Sequence, residues 1–457
     1  MPALRISRQS LACRQGTDVL VGVSAVAWAY LLLARGGFWR ATPTLGAVGD
    51  PAPGAAAERH DSASGGHDSE SRRPDSESRR PDSESRRSDR APGGHGAAVV
   101  AIVPARNEAD LLPRTLHLLA RQASAGLVGV VVVDDASTDD TAGVAEATGT
   151  GSVPVVVTRS APLPRGWSGK VWALEQGRRV ALARWRVGPD EANLGPAEEG
   201  FGPAEHGTGP AEHGTKPAWL WLVDADIAVG DGVLARLLAE AEAGDRDLVS
   251  VMARLRVQHP AERLLVPAFV YFFQLLYPFR WVGRPGARTA AAAGGCVLVR
   301  TAALERIGGF SSIAGRRIDD IALARAIRRG GRDGGPRPGR LWLGFDDGVE
   351  SLRPYDALRP LWQMVARNAF TQLGESWTLL AVTVAGLGLT FVAPFLLAGA
   401  RWLAVLRSGR LDGCAFATGA TATFAASVLS YLPTVRRCGL PRRWALTLPV
   451  ASVLYAG

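Results

Sequence analysis

Lysine is almost missing from this 457-residue chain; only Lys170 and Lys216 occur, and arginine carries nearly all the positive charge. The net charge of +9 and pI near 10.0 therefore follow from an Arg, Ala and Gly bias of the kind a GC-rich coding sequence produces. No basic stripe interleaved with aromatics and no nucleic-acid motif accompanies that charge, so nucleic acid is excluded as an expected partner. Cysteine is scarce as well. Cys13, Cys296, Cys414 and Cys438 form no CxxC pair. That spacing suggests neither a zinc site nor a disulfide framework, and the folded part is expected in a reducing compartment.

What the chain does have is apolar sequence concentrated at its ends, 47% hydrophobic overall. A first span from about Val19 to Leu33, extending to about Trp39, reads as a membrane anchor occupying residues 1–40. No small-x-small cleavage site follows closely, which favours an anchor over a signal peptide. Residues 41–96 are a linker in which DSESRRP starts at Asp68, repeats at Asp75 and returns as DSESRRS at Asp82. Charge, Ser and Pro in that repeat cannot bury a core, so disorder is expected. Beyond Thr378 the chain turns apolar again. Thr378–Ala400, Cys414–Leu432 and Trp444–Ala456 are candidate spans within a membrane segment of residues 376–457. Arg401, Arg407 and Arg410 lie in one intervening loop; Arg436, Arg437, Arg442 and Arg443 lie in the next. The positive-inside rule favours placing the second loop, and the folded part of the chain with it, in the cytoplasm.

Residues 97–375 read as one α/β domain. AAVVAIVP from Ala97, GVVVVDD from Gly129 and VPVVVT from Val153 are short apolar runs separated by helical stretches. WLWLVDAD (Trp219–Asp226) continues the series after a low-complexity insert, 184–217, in which GPAEEGF at Gly195 becomes GPAEHGT at Gly202 and again at Gly209. The alternation predicts a mostly parallel, Rossmann-like sheet with helices on both faces. Leu264–Phe279, apolar and aromatic, predicts a helix at the membrane interface or under the active site, or equally a buried core helix.

Ligands of open parallel sheets bind outside the carboxyl ends of the strands. Asp224 and Asp226 end a buried run, and strand alternation would put both carboxylates on one side. Two such oxygen donors suit Mg2+ or Mn2+ bridging a diphosphate. Asp134 and Asp135 end another run; either could accept from a base N–H or ribose hydroxyl, while Ser137, Thr138 or Asp139 could cap a helix. Lys170 is a compact ammonium in a chain that otherwise uses Arg, which fits a phosphate contact as well as a surface position. Asp319 and Asp320 begin a helix, where acids complement the dipole, or supply a general base.

Taken in order, VPARNE (Val103–Glu108), VVVVDDASTDDT (Val130–Thr141), GWSGKVWAL, LVDAD, AGGCVLVRTAALERIGGF (Ala293–Phe310) and IDDIALA resemble glycosyltransferase family 2 over roughly Ala97–Leu373. Within it, PLPRGWSGKVWAL, the Leu264–Phe279 segment and MVARNAFTQL are similar to the hopanoid-biosynthesis-associated glycosyltransferases; ceramide glucosyltransferases are a more distant likeness. The resemblance implies a GT-A fold and a membrane-bound, metal-dependent, inverting enzyme that moves a sugar from a nucleotide-sugar donor to a lipid. It implies that Glu108 and Asp135, or Asp134, hold the nucleoside. Asp224 would meet ribose or diphosphate, Asp226 the metal, and Asp320 would be the base. Gly294 and Gly295 would admit sugar or acceptor close to the backbone, and Arg367 would stand near the diphosphate. The Q/R-x-x-R-W motif of processive relatives is absent; Gln363 and Arg367 have another spacing and no Trp follows. Other expectations compatible with the pattern are transfer to polyprenyl phosphate, nucleotidyl transfer, and a non-catalytic membrane-binding module.

Overall fold

The computed structural model describes residues 8–46, 97–185, 216–330, 338–354, 359, 362–363, 369–408 and 414–456. The repeats of the linker and of the 184–217 insert, with Arg367, lie outside the described residues.

Eight strands make one sheet: β1 Val99–Ala105, β2 Leu127–Asp134, β3 Val155–Arg159, β4 Trp219–Val223, β5 Ile227–Val229, β6 Leu248–Arg254, β7 Cys296–Arg300 and β8 Leu341–Ser351, in the order β3-β2-β1-β4-β7-β6-β8-β5. Strand periodicity sorts their side chains to two buried faces. Val100, Ile102, Val131, Val133, Leu220 and Leu222 enter one core, and Val99, Ala101, Val103, Val130, Val132 and Trp221 the other. The first core is covered by α4 (Gly169–Arg184) and α9 (Asp319–Arg329), the second by α2 (Leu112–Ala120) and α5 (Val233–Ala243). Gly177 lets α4 lie close on the sheet, because a Cβ there would come within 2.5 Å of the Ile102 side chain.

The sheet is more mixed than the sequence pattern predicts. β3, β2, β1 and β4 run parallel, as do β6 and β8, but β7 is antiparallel to both β4 and β6, and β5 to β8. The reason lies in the excursion before β7. Helices α6 (Pro260–Leu276) and α7 (Phe279–Val282) carry the chain outside the sheet. It re-enters at Cys296 beside Val223, the carboxyl end of β4. Gly294 and Gly295 are thereby delivered to the strand ends, where the Gly295 carbonyl accepts from Asp224 N at 3.1 Å.

Outside the sheet, α1 spans Arg8–Leu33, well upstream of the apolar run expected from Val19. The C-terminal part holds a continuous helix Trp377–Arg407 with a π-turn at Gly388–Val392, the helix Cys414–Arg437, and a short Leu448–Ala456 helix after a 3-10 turn. Among the described residues two helices are long and apolar enough to cross a membrane, Pro260–Val282 and Trp377–Arg407; the first is mostly buried in the protein and the second mostly exposed. Pro260–Leu276 packs against both the sheet core and the C-terminal helices. Its Tyr271 hydroxyl lies 2.7 Å from Ser430 Oγ and its Phe272 ring 5.0 Å from Tyr455, while Val270 joins the sheet core. Residues counted with the linker also join the fold. Thr44 bridges Phe345 of β8, and Leu45 N donates to the Phe345 carbonyl at 2.9 Å.

Candidate active site

The carboxyl ends of β1, β2 and β4, the turn before β7, the N-terminus of α4 and that of α9 converge on one cavity of about 470 Å³. Glu108, Asp135, Lys170, Asp224, Asp226, Gly294, Gly295 and Asp320 all line it.

Two loops are stitched together on the β1–β2 side. Asn107 N donates to Ser137 Oγ at 3.0 Å, Thr138 N donates to Asn107 Oδ1 at 2.7 Å, and Ala109 N donates to Asp139 Oδ2 at 3.2 Å. The structure separates the neighbouring acids of this loop. Asp134 turns inward; its Oδ1 accepts from Ser137 N at 3.0 Å, it is buried, and it does not line the cavity. Asp135 faces the cavity, 3.8 Å from Arg106 Nη1. Gly169, first residue of α4, makes room for it: a Cβ there would sit 2.6 Å from Asp135 Oδ2. The helix cap foreseen at Ser137, Thr138 or Asp139 is instead a set of inter-loop bonds, with Asp139 also accepting from Thr141 N at 3.1 Å.

Asp-Ala-Asp is not extended. β4 stops at Val223, and Ile227 N donates to the Asp224 carbonyl at 3.0 Å, closing a turn. Both carboxylates reach the cavity through that turn rather than through strand alternation. Asp224 Oδ1 is 2.7 Å from Lys170 Nζ, which also lies 3.7 Å from Asp319 Oδ2. Burial raises the Asp224 pKa against the opposing pull of Lys170. Burial alone would lower Lys170, but Asp224 and Asp319 outweigh it and hold the ammonium well above the usual lysine range. Lys170 is thus a fixed cation of the site.

Asp226 Oδ2 accepts from Ser351 Oγ at 2.9 Å and lies 3.4 Å from Arg353 Nε. Arg353 also donates to Glu108 through Nη2. Burial raises Glu108 above the ordinary carboxylate range, with Arg353 opposing. No pattern in the sequence marks Arg353; its only signal is a position just past a strand. Among the described residues no group of three or more His, Cys, Asp or Glu could hold a metal by itself. The donor set still fits Mg2+ or Mn2+, which in phosphate-handling sites take one or two carboxylates and complete their shell with phosphate oxygens and water.

Asp320 sits at the start of α9. Its Oδ2 accepts from Gly294 N at 2.9 Å and its Oδ1 from Ile321 N at 2.7 Å. Burial, then the neighbouring Asp319, push it up to about 7, against Lys170 and the two backbone N–H groups. A Cβ on Gly294 would meet Asp320 Oδ2 at 3.3 Å, so the bare backbone there lets the carboxyl reach the cavity. The opposite wall is apolar, built by Met252, Leu255, Phe269 and Phe273.

Among solved structures the chain is similar to a mannosyltransferase from Pyrobaculum calidifontis in complex with GDP-Man and Mn2+, at 20% identity over 79% of this chain and 88% of that one, TM-score 0.39. It is also similar to glucosyl-3-phosphoglycerate synthase from Mycobacterium tuberculosis, at 16% identity over 59% and 76%, TM-score 0.34. A third is mannosyl-3-phosphoglycerate synthase from Rubrobacter xylanophilus, at 19% identity over 61% and 76%, TM-score 0.34. No curated protein sequence matches the chain. The family model described as "Glycosyltransferase like family 2" matches residues 95–356, every strand of the GT-A-like sheet and the whole cavity lining, and by that match over more than half its length the chain belongs to glycosyltransferase family 2.

Proposed function

We propose that the chain transfers a sugar from a nucleotide-activated donor to a hydroxyl of a membrane lipid, by a single displacement with inversion. The carrying observation is the cavity itself, which joins acidic, cationic and bare-backbone positions from six elements on one side and an apolar wall on the other. Glu108 and Asp135, both on the cavity lining, would meet base or ribose, and Lys170, also on it, the diphosphate. Asp226, with Asp224, would hold a divalent cation, which when bound neutralises charge on the leaving diphosphate. Asp320 takes the proton of the acceptor hydroxyl as that oxygen attacks the anomeric carbon and the bond to the diphosphate oxygen breaks. A carboxyl raised to about 7 is matched to that task near neutral pH. No second carboxyl is needed as a nucleophile, and one displacement inverts the anomeric centre.

Two features support a lipid acceptor. The apolar wall belongs in part to α6, whose other side packs on the C-terminal helices. Those helices and α1 expose Val19, Val26, Leu33, Val382, Phe395 and Leu406, as surfaces facing lipid do. The ends of α1 and of Cys414–Arg437 both meet the catalytic domain: Arg35 Nε donates to the Leu275 carbonyl at 3.1 Å, and Arg437 Nη2 is 3.0 Å from Asp347 Oδ1. The catalytic domain thus shares its side with the Arg436–Arg443 loop, the cytoplasmic side by the positive-inside rule. A hopanoid or related lipid is the acceptor favoured by the GWSGKVWAL and MVARNAFTQL resemblance.

The test incubates detergent-purified protein with radiolabelled sugar nucleotides and extracted membrane lipids, with and without EDTA. Expected are a labelled lipid, release of nucleoside diphosphate, loss with EDTA and recovery with Mn2+ or Mg2+. Label on polyprenyl phosphate alone refutes the hopanoid acceptor, and release of pyrophosphate refutes glycosyl transfer. An active Asp226→Ala variant refutes the metal site.

A further inference from the structure

Each carboxylate of Asp-Ala-Asp faces a cation of the chain itself, and the two cations are held differently. Lys170 is fixed between Asp224 and Asp319 in the cavity floor. Arg353 stands at the lip, its side chain 43% exposed, on a backbone pinned at its base: Leu352 N donates to the Asp226 carbonyl at 2.8 Å and Ser351 Oγ to its carboxylate. The guanidinium spans Glu108 and Asp226, acids of the loop after β1 and of the turn after β4 that are only 11% and 13% exposed. It thereby compensates two largely desolvated carboxylates, and it lies against the one assigned to the metal.

We propose that Arg353 is an internal counter-ion for Asp226, so that a divalent cation binds tightly only together with a nucleoside diphosphate that takes the guanidinium over. This rests on the reading of the cavity as a metal and sugar-nucleotide site. A cation arriving alone must compete with Arg353 for Asp226 and leave the guanidinium without that anion. A diphosphate arriving with it offers two-point acceptance of the kind guanidinium groups favour. The Arg353 side chain is 43% exposed, while Ser351 and Leu352 keep the Asp226 turn in place. The arrangement makes Arg353 a positioning residue whose effect reads out in metal affinity.

The experiment titrates the full chain in detergent with MnCl2, following free Mn2+ by electron paramagnetic resonance, alone and with UDP or, in parallel, GDP. In the wild type one nucleotide tightens Mn2+ binding strongly. In Arg353→Gln, Mn2+ alone binds roughly fivefold tighter, the upper end expected from removing one competing, partly exposed ion pair. The nucleotide-dependent gain shrinks by at least that factor. Arg353→Lys, which keeps the charge, retains weak binding of Mn2+ alone; tight binding there overturns the counter-ion role. So does an Arg353→Gln protein, folded by its melting curve, with unchanged affinity and unchanged coupling. A wild-type chain that takes up no Mn2+ even with either nucleotide overturns the metal-nucleotide reading itself, and the inference with it.

Discussion

Replacing Asp320 with Asn should abolish transfer and at the same time make the protein more stable in alkaline solution. The carboxyl is pushed from an ordinary 3.8 up to about 7, first by burial and then by Asp319. A folded-state pKa above the unfolded one means that the folded protein prefers the protonated acid. Below about pH 4 both states are protonated and there is no penalty. The penalty grows as pH rises and is complete above about 7, where three pH units correspond to about 4 kcal/mol. Asn has no such ionisation. It has only one oxygen to accept from Gly294 N and Ile321 N, so it loses one hydrogen bond, worth about 1 kcal/mol and independent of pH. The stability of the variant relative to wild type should therefore increase by about 2–3 kcal/mol between pH 5 and pH 8. Denaturant melts of both proteins in the same detergent at a series of pH values measure this, and lipid glycosylation should fall by a factor of about 10²–10⁴. A stability difference that stays flat or narrows with rising pH would refute the raised carboxyl. Retained transfer would refute its role as base.

Asp319→Asn removes the like charge beside Asp320 and should move the acidic limb of the pH–rate profile about one pH unit lower; a limb that stays or moves up contradicts the assignment. Gly169→Ala would press a methyl group on Asp135; the KM for the sugar nucleotide should rise several-fold with the fold intact by circular dichroism, and an unchanged KM removes Asp135 from the donor site. Phe273→Ser should raise the KM for the lipid about tenfold while nucleotide binding, measured separately, is unaltered, and the reverse pattern would place the donor, not the acceptor, on the apolar wall.

The sheet's first half was legible because its strands are short, mostly apolar runs ending in polar turns, a signal that needs no tertiary knowledge. β8 was not. LWLGFDDGVES carries two acids at its middle, and its first half pairs with β6 while its second pairs with β5, so no single period describes it. Arg353 was hidden with it, since its importance comes only from where β8 ends. The same limit governs the acids. Periodicity brought Asp224 and Asp226 to a strand end for the wrong local reason, because a turn and not the pleat aims them. It could not say which of Asp134 and Asp135 would face the cavity, which Ser137 and Gly169 decide. What no local pattern can carry is the charge balance made by folding. The cavity lining holds the acids Glu108, Asp135, Asp224, Asp226 and Asp320 against the cations Arg106, Lys170 and Arg353. A sugar-nucleotide diphosphate adds further negative charge to a cavity whose two inner cations are already engaged by carboxylates. Such a cavity accepts its anionic donor only with an added cation or with protonation of an acid. The raised Asp320 must lose its proton to serve as base. On the proposed reading the balance would fall on a divalent ion at Asp226, and the Mn2+ or Mg2+ dependence of transfer, measured across a pH series, is expected to be steepest above pH 7, where Asp320 is ionised.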